Sequence, residues 1–264
     1  GIQTKFDYHF TTGNVFHDLE IGARLHKDEE DRFQWVDGYN IIGNEMNLTS
    51  SGSRGSDDNR VASAKALALH IQYKLKYNKL TVTPGLRFET IDLWNQNYGK
   101  VDPTRTGANL VENDNHVKVW LPGIGANYKW NNNLSVFAGA HKGFAPPTNR
   151  TGQDAESSIN YELGTRFRVK KLYAEIVGFY NDYSNMLGSD LAASGGSGTL
   201  DQFNAGEVRV NGVEVLLNYN VLAETSKFKV PVTFSYTMTN TEFLNDFAST
   251  DGTWGTISKG DEIP

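Results

Sequence analysis

Four arginines carry the most specific chemical signal in this chain: Arg54, Arg60, Arg105 and Arg150. A guanidinium presents a planar fork of N–H donors that fits a carboxylate at two points, and it stays charged at physiological pH. The four lie in or beside three separate polar stretches. If those stretches converge, the arginines would make a cationic pocket for an anion with several carboxylates. The plainer alternative is surface charge, or contact with lipid phosphates. Other chemistry is thin. The six histidines (His9, His17, His26, His70, His116, His141) are scattered, without the spacing that sets two imidazoles on one metal, and neither a nucleophile elbow nor a phosphate loop occurs. The acidic run from Asp28 to Asp31 lacks the glycine turn of a calcium loop and reads as a solvated strand end. Ser194 to Gly198 forms a flexible tract that serves equally as lid or slack. The expectation is therefore a binding protein, not an enzyme, with no catalytic residue, metal site or resident cofactor.

Composition narrows the setting. The 264 residues suffice for one large unit, and no shift in composition marks a linker. Cysteine is absent, so disulfides and thiol chemistry are excluded. The net charge is -6 without a basic block, which argues against nucleic acid as a partner. No apolar run is long enough for a membrane-spanning helix. Spanning strands stay open, because a barrel with a polar interior keeps its mean hydropathy low, here -0.49. The chain enters directly in strand pattern, without a leader, and stops in the loop-like Gly260 to Pro264. It reads as an internal piece of a longer polypeptide.

The elements that must position the arginines are strands. Side chains alternate apolar and polar in ten segments. These are Ile2 to Phe10, Leu19 to His26, Leu67 to Tyr77, Leu80 to Glu89, Ile124 to Trp130, Leu134 to Gly143, Ile159 to Lys170, Leu172 to Leu187, Glu207 to Tyr219 and Phe228 to Thr239. The eighth is blurred by Val177 and Phe179. Tight turns at Thr12 to Asn14, Asn78-Lys79, Asn131 to Asn133, Lys170-Lys171 and Leu222 to Lys227 alternate with long polar stretches. The long ones are Gly38 to Asn59, Asn95 to Asn115, Ala145 to Ser158, Gly188 to Asn204, and Thr241 onward. Strict alternation of short and long is the layout of an outer-membrane barrel, with short turns on one side and long loops on the other. Phe10, Tyr77, Tyr128, Trp130, Phe167, Tyr219 and Phe228 sit beside the short turns, where an aromatic girdle would lie. Pro84, Pro122 and Pro231 fall inside strand segments and mark bulges or breaks.

Four blocks carry a family likeness. The stretch from Phe137 to Pro147, that from Glu156 to Gly164, Gly178 to Asn185 and Phe203 to Glu214 together resemble the barrels of TonB-dependent outer-membrane receptors. Asn59-Arg60, Pro84 to Arg87 and the closing Gly260 to Pro264 resemble the ferric dicitrate receptors within that family. The resemblance implies an all-β, antiparallel transmembrane barrel of about 22 strands with a plugged lumen. Residues 1–264 would then be a partial barrel domain, about ten strands of the whole, with the plug and the terminal strands absent. It further implies an outer-membrane location, a ferric chelate as ligand, and the TonB energy-coupling system as a partner through the missing plug. Lipid and lipopolysaccharide would surround the wall. The competing readings are the same architecture with another cargo (another siderophore, haem, cobalamin or a glycan), a passive porin or adhesin, and a soluble β-sandwich. A glycan site would want loop aromatics, and only Trp94, Tyr98 and Trp254 are at hand.

Overall fold

The computed structural model describes residues 1–147, 152–189, 202–204, 206–222, 225–248 and 256–263. All of its regular elements among these residues are strands. In chain order they are β1 (Ile2–Thr12), β2 (Val15–Gln34), the hairpin β3 (Gly38–Ile42) and β4 (Glu45–Ser50), β5 (Asp58–Tyr77), β6 (Leu80–Asn97) and β7 (Val111–Lys129). There follow β8 (Leu134–Ala145), β9 (Glu156–Val169), β10 (Leu172–Ser184), the short pair β11 (Leu187–Ser189) and β12 (Gln202–Asn204), β13 (Val208–Asn220), β14 (Pro231–Phe243), and the pair β15 (Phe247–Ala248) and β16 (Thr256–Ile257). Ten of them form one antiparallel sheet in the order β1-β2-β5-β6-β7-β8-β9-β10-β13-β14. Each long strand lies beside the long strands that precede and follow it, and the sheet is open, with β1 and β14 at its edges. Every expected strand is present.

Register decides which face each residue takes, because one residue of slip would exchange the faces. Phe6 pairs with Ile21, Ile21 with Ile71, Ile71 with Leu86, and Leu86 with Pro122. On the far half Ala138 pairs with Leu163, Leu163 with Gly178, Gly178 with Val213, and Val213 with Met238. One face is thus apolar from edge to edge. Its side chains stand in the open: Leu163 is 63% exposed, Trp120 59% and Phe234 54%. An apolar patch of this extent marks a membrane or a partner, not water. In β2 the side chains on this face from Val15 to Leu25 are apolar apart from His17, the length a tilted strand needs to cross hydrocarbon (roughly 9–11 residues). Phe10, Tyr77, Tyr128, Phe167 and Tyr219 all point to this face beside the short turns.

The other face is polar and knitted by charge. Lys5 lies 2.6 Å from Glu20, which also meets His70 at 3.1 Å, and Arg166 lies 2.8 Å from Glu175. Such solvent-screened pairs contribute little stability. They keep this face hydrated, and no apolar core forms beneath most of it. The two residues that blur the eighth segment belong here. Phe179 lies over its cross-strand partner Gly212, as Phe137 lies over Gly164. An aromatic ring occupies the space that a side chain on the glycine would need.

All the long connections fall at one end of the sheet. There the strands run further than alternation suggests: β2 continues to Gln34, β5 starts at Asp58, β6 reaches Asn97 and β7 starts at Val111. The hairpin β3/β4 lies within the stretch expected to be loop. Beyond the apolar band both faces meet water, so pairing continues while the alternating signal fades. Pro84 breaks the pairing of β5 with β6, where Tyr73 and Lys74 have no register partners. Pro122 sits where β7 parts from β8, whose ladder ends at Gly123 with His141. Pro231 opens edge strand β14, a place where the missing N–H costs nothing.

Candidate functional site

At the long-loop end, β2 and β5 bring two arginines together on the polar face. Arg32 and Arg60 are direct cross-strand partners. Like charges in that position repel unless something lies between them, and here it is the Asp58 carboxylate, 3.8 Å from Arg32 Nη1 and 3.3 Å from Arg60 Nε. Arg32 Nε also donates to Glu30 at 2.7 Å. Arg60 Nε is enclosed, and its N–H finds no hydrogen bond among the described residues. Two half-exposed guanidiniums thus stand together at the rim, with the Asp58 and Glu30 carboxylates between and beside them.

The other arginines lie elsewhere. Arg105 Nη2 and Nη1 donate to both oxygens of Asp31, at 2.5 and 3.1 Å. Its Nε donates to Asn59 Oδ1 at 2.8 Å, and its guanidinium lies about 5 Å from the rings of Phe33 and Tyr98. Asp31 and Phe33 share the face that is apolar lower down. Arg105 therefore latches the connection between β6 and β7 against the outside of β2. Arg54 stacks on the same Phe33 ring, at 5.1 Å, and on Trp35. So Arg54 and Arg105 meet on one face and Arg60 stands on the other; Arg150 lies outside the described residues. Arg32 was not among the arginines the sequence singled out. Its signal is its parity with the polar residues of β2, which becomes visible only once β2 is known to run to Gln34.

The latched connection is well built. Asn59 is 2% exposed, and its Nδ2 donates to the carbonyls of Gly99 and Asp102. The Asp102 carboxylate accepts from the N–H groups of Thr106 and Gly107 and from the Thr106 hydroxyl. The hydrogen bond to the Thr106 N–H holds the Asp102 carboxyl below the usual carboxylate range, and the Arg105 hydrogen bond does the same for Asp31. A lowered folded pKa gives stability that is full above the unfolded value, near 3.9, and is lost as pH falls through the folded one. A spin label on Lys100→Cys is expected to stay immobile from pH 8 to about 5 and to loosen only below about 3.9. Asp31→Asn should loosen it at neutral pH. A label equally rigid in both proteins at every pH would refute the latch. Among the described residues no group of three or more His, Asp or Glu side chains could hold a metal ion. Asp28 to Asp31 are exposed as expected but are not a strand end, because β2 runs on to Gln34, and Asp31 is engaged by Arg105.

The fold has clear relatives. A solved structure of the siderophore receptor PiuA from Acinetobacter baumannii superposes with a TM-score of 0.69 at 16% identity, covering 99% of this chain and 41% of that one. The ferric citrate transporter FecA in its unliganded form gives 0.67 at 19%, covering 91% and 35%. The ferric-catecholate import receptor Fiu from K12 E. coli gives 0.63 at 17%, covering 95% and 39%. The chain thus spans well under half the length of each, and at such identity these likenesses speak for the fold alone. The family model described as TonB dependent receptor-like, beta-barrel, matches residues 1–264. The match runs the full length of the chain, and the apolar outer band, polar inner face and one-ended long loops are what such a wall requires: the chain belongs to the TonB-dependent receptor β-barrel family.

Proposed function

We propose that this chain forms part of the barrel of an outer-membrane receptor that takes up an anionic ferric chelate by TonB-coupled transport, with ferric dicitrate as the cargo. The observation that carries the reading is the pairing of Arg32 and Arg60 on the polar face at the long-loop end. An anionic chelate approaching from the loops would meet these guanidiniums first and exchange its carboxylates for those of Asp58 and Glu30. Arg54, Arg105 and Arg150 remain in the proposal as loop arginines, Arg105 acting by holding its loop in place. By the family resemblance, TonB then acts on a plug filling the lumen. No covalent chemistry is needed from this chain.

Other cargoes on the same architecture are the second reading. A glycan site is disfavoured because Tyr98 is covered by Arg105, and Lys65 lies over Trp94. Trp254 lies outside the described residues. The test is uptake of labelled iron with citrate as chelator, by the intact receptor in cells lacking their own citrate-iron receptor, with and without working TonB. TonB-dependent uptake is expected. Absence of uptake by a correctly inserted protein would discard citrate, and uptake without TonB would favour a passive pore.

A further inference from the structure

Between two residues of β5 on the polar face stands one that belongs to the other. Asp58 and Arg60 share the polar face, and Asn59, by alternation, lies on the opposite side. There it pairs with Phe33 of β2 and meets the connection between β6 and β7. Its Nδ2 donates to the Gly99 carbonyl at 3.0 Å and to the Asp102 carbonyl at 2.8 Å, and its Oδ1 accepts from Arg105 Nε at 2.8 Å. A side-chain amide has two donors and an oxygen that can accept twice, so this buried one is nearly saturated. The Asn59 main-chain carbonyl also accepts from the Tyr98 N–H at 3.0 Å.

Arg60 needs such a hold. It is the last residue toward this end of β5 with a register partner on β6, Asn97. Ends of this kind open most easily, and this one carries a guanidinium directly across from that of Arg32. Like charges so placed push the strands apart. The Asp58 carboxylate offsets the repulsion, but it belongs to the same strand end and would move with it. Past Arg60, bonds to Asn59 take over from the β5–β6 ladder. We propose that Asn59 is a positioning residue for cargo binding: it touches no ligand, and by tying β5 to the β6–β7 connection it fixes the spacing of the Arg32 and Arg60 guanidiniums. This role rests on the cargo reading given above. A fork that meets a carboxylate at two points must be held to about 0.5 Å. A loosened strand end therefore weakens binding although both cations remain.

The test is a double-mutant cycle on the intact receptor, read by ferric dicitrate affinity and by hydrogen–deuterium exchange of the ligand-free protein. Asn59→Ala is expected to weaken binding about tenfold in the wild type and hardly at all beside Arg60→Ala, because it acts through that arginine. A residue that merely stabilised the barrel would weaken binding by the same factor in both backgrounds. Exchange at the Tyr98 and Arg60 amides should rise in Asn59→Ala, while amides of the apolar band and the urea midpoint keep their wild-type values. Asn59→Asp, which keeps the acceptor for Arg105 and loses both donors, should fall between the two and serves if the alanine variant folds poorly. Equal losses of affinity in both backgrounds would overturn the proposal, as would unchanged exchange at the two amides. The two possible failures read differently. An Arg60→Ala protein that binds like the wild type removes the rim assignment itself, whereas a weakened Arg60→Ala with an additive Asn59→Ala removes only the role of Asn59.

Discussion

Valine in place of Gly212 is expected to leave little folded protein. Gly212 lies on the polar face of β13, opposite Phe179 on one side and Thr239 on the other. A Cβ there would collide with the Met238 carbonyl oxygen as well as with the Phe179 ring. The ring can swing aside. The carbonyl cannot, because it belongs to the backbone of the neighbouring strand in the β13–β14 ladder. Overpacking of this kind costs about 1–3 kcal/mol through side chains alone, and here ladder hydrogen bonds are lost as well. Gly164 makes the internal comparison. The three atoms nearest its Cβ would all belong to the Phe137 ring, which can swing aside, so Gly164→Ala should cost less, mainly the stacking of Arg166 on that ring at 4.0 Å. Folded yield and the urea midpoint of the refolded barrel read both effects. A Gly212→Val protein with a wild-type midpoint would mean that the strands part more easily than the register implies.

The second large effect concerns the rim. Arg32→Ala combined with Arg60→Ala is expected to weaken binding of ferric dicitrate by about a hundredfold or more. A hydrogen bond to a charged group contributes about 1.5–3 kcal/mol, and about 1.4 kcal/mol is tenfold in affinity. Removing both cations also leaves Asp58 and Glu30 facing an anionic ligand without partners. Lysine at both positions should restore part of the affinity, since it keeps the charge and loses the fork. Affinity measured by titration on the purified receptor decides the matter: an unchanged dissociation constant would remove this pair from the site.

The sequence announces the strands wherever one face meets hydrocarbon and the other water, because that contrast is what alternation records. Ile2 to Phe10 and Ile159 to Lys170 are plain for this reason. The upper half of β2 is not, since Lys27, Glu29 and Asp31 on one face are as polar as Asp28, Glu30 and Arg32 on the other. The site suffers from the same loss. Arg60 could be picked out by type, but its partner Arg32 depends on the register across a long connection, which local pattern does not encode. Arg105 was legible as a cation and illegible as a latch, because Asp31, Asn59 and Phe33 come from two strands far away in sequence. Phe179 looked like noise in the alternation until Gly212 was set opposite it.

The parting of β7 from β8 at Pro122 has a mechanical meaning. Below it β7 and β8 are joined by a ladder that runs from Gly123 and His141 to Lys129 and Ser135. Above it, Ala145 and its neighbours pair with β9 only, and Val111 to Leu121 pair with β6 only. Among the described residues the seam is closed by the Phe144 and Ala155 side chains packed on Ile91, Leu93 and Val117, and Asn115 Nδ2 donates to the Gln153 carbonyl. Packing of this sort resists separation and yields to sliding, whereas a β-ladder resists both. The upper wall is therefore two panels that meet along packed side chains. The panel that carries Arg32, Arg60 and the Arg105 latch is thus coupled to its neighbour through side chains, without a ladder between them.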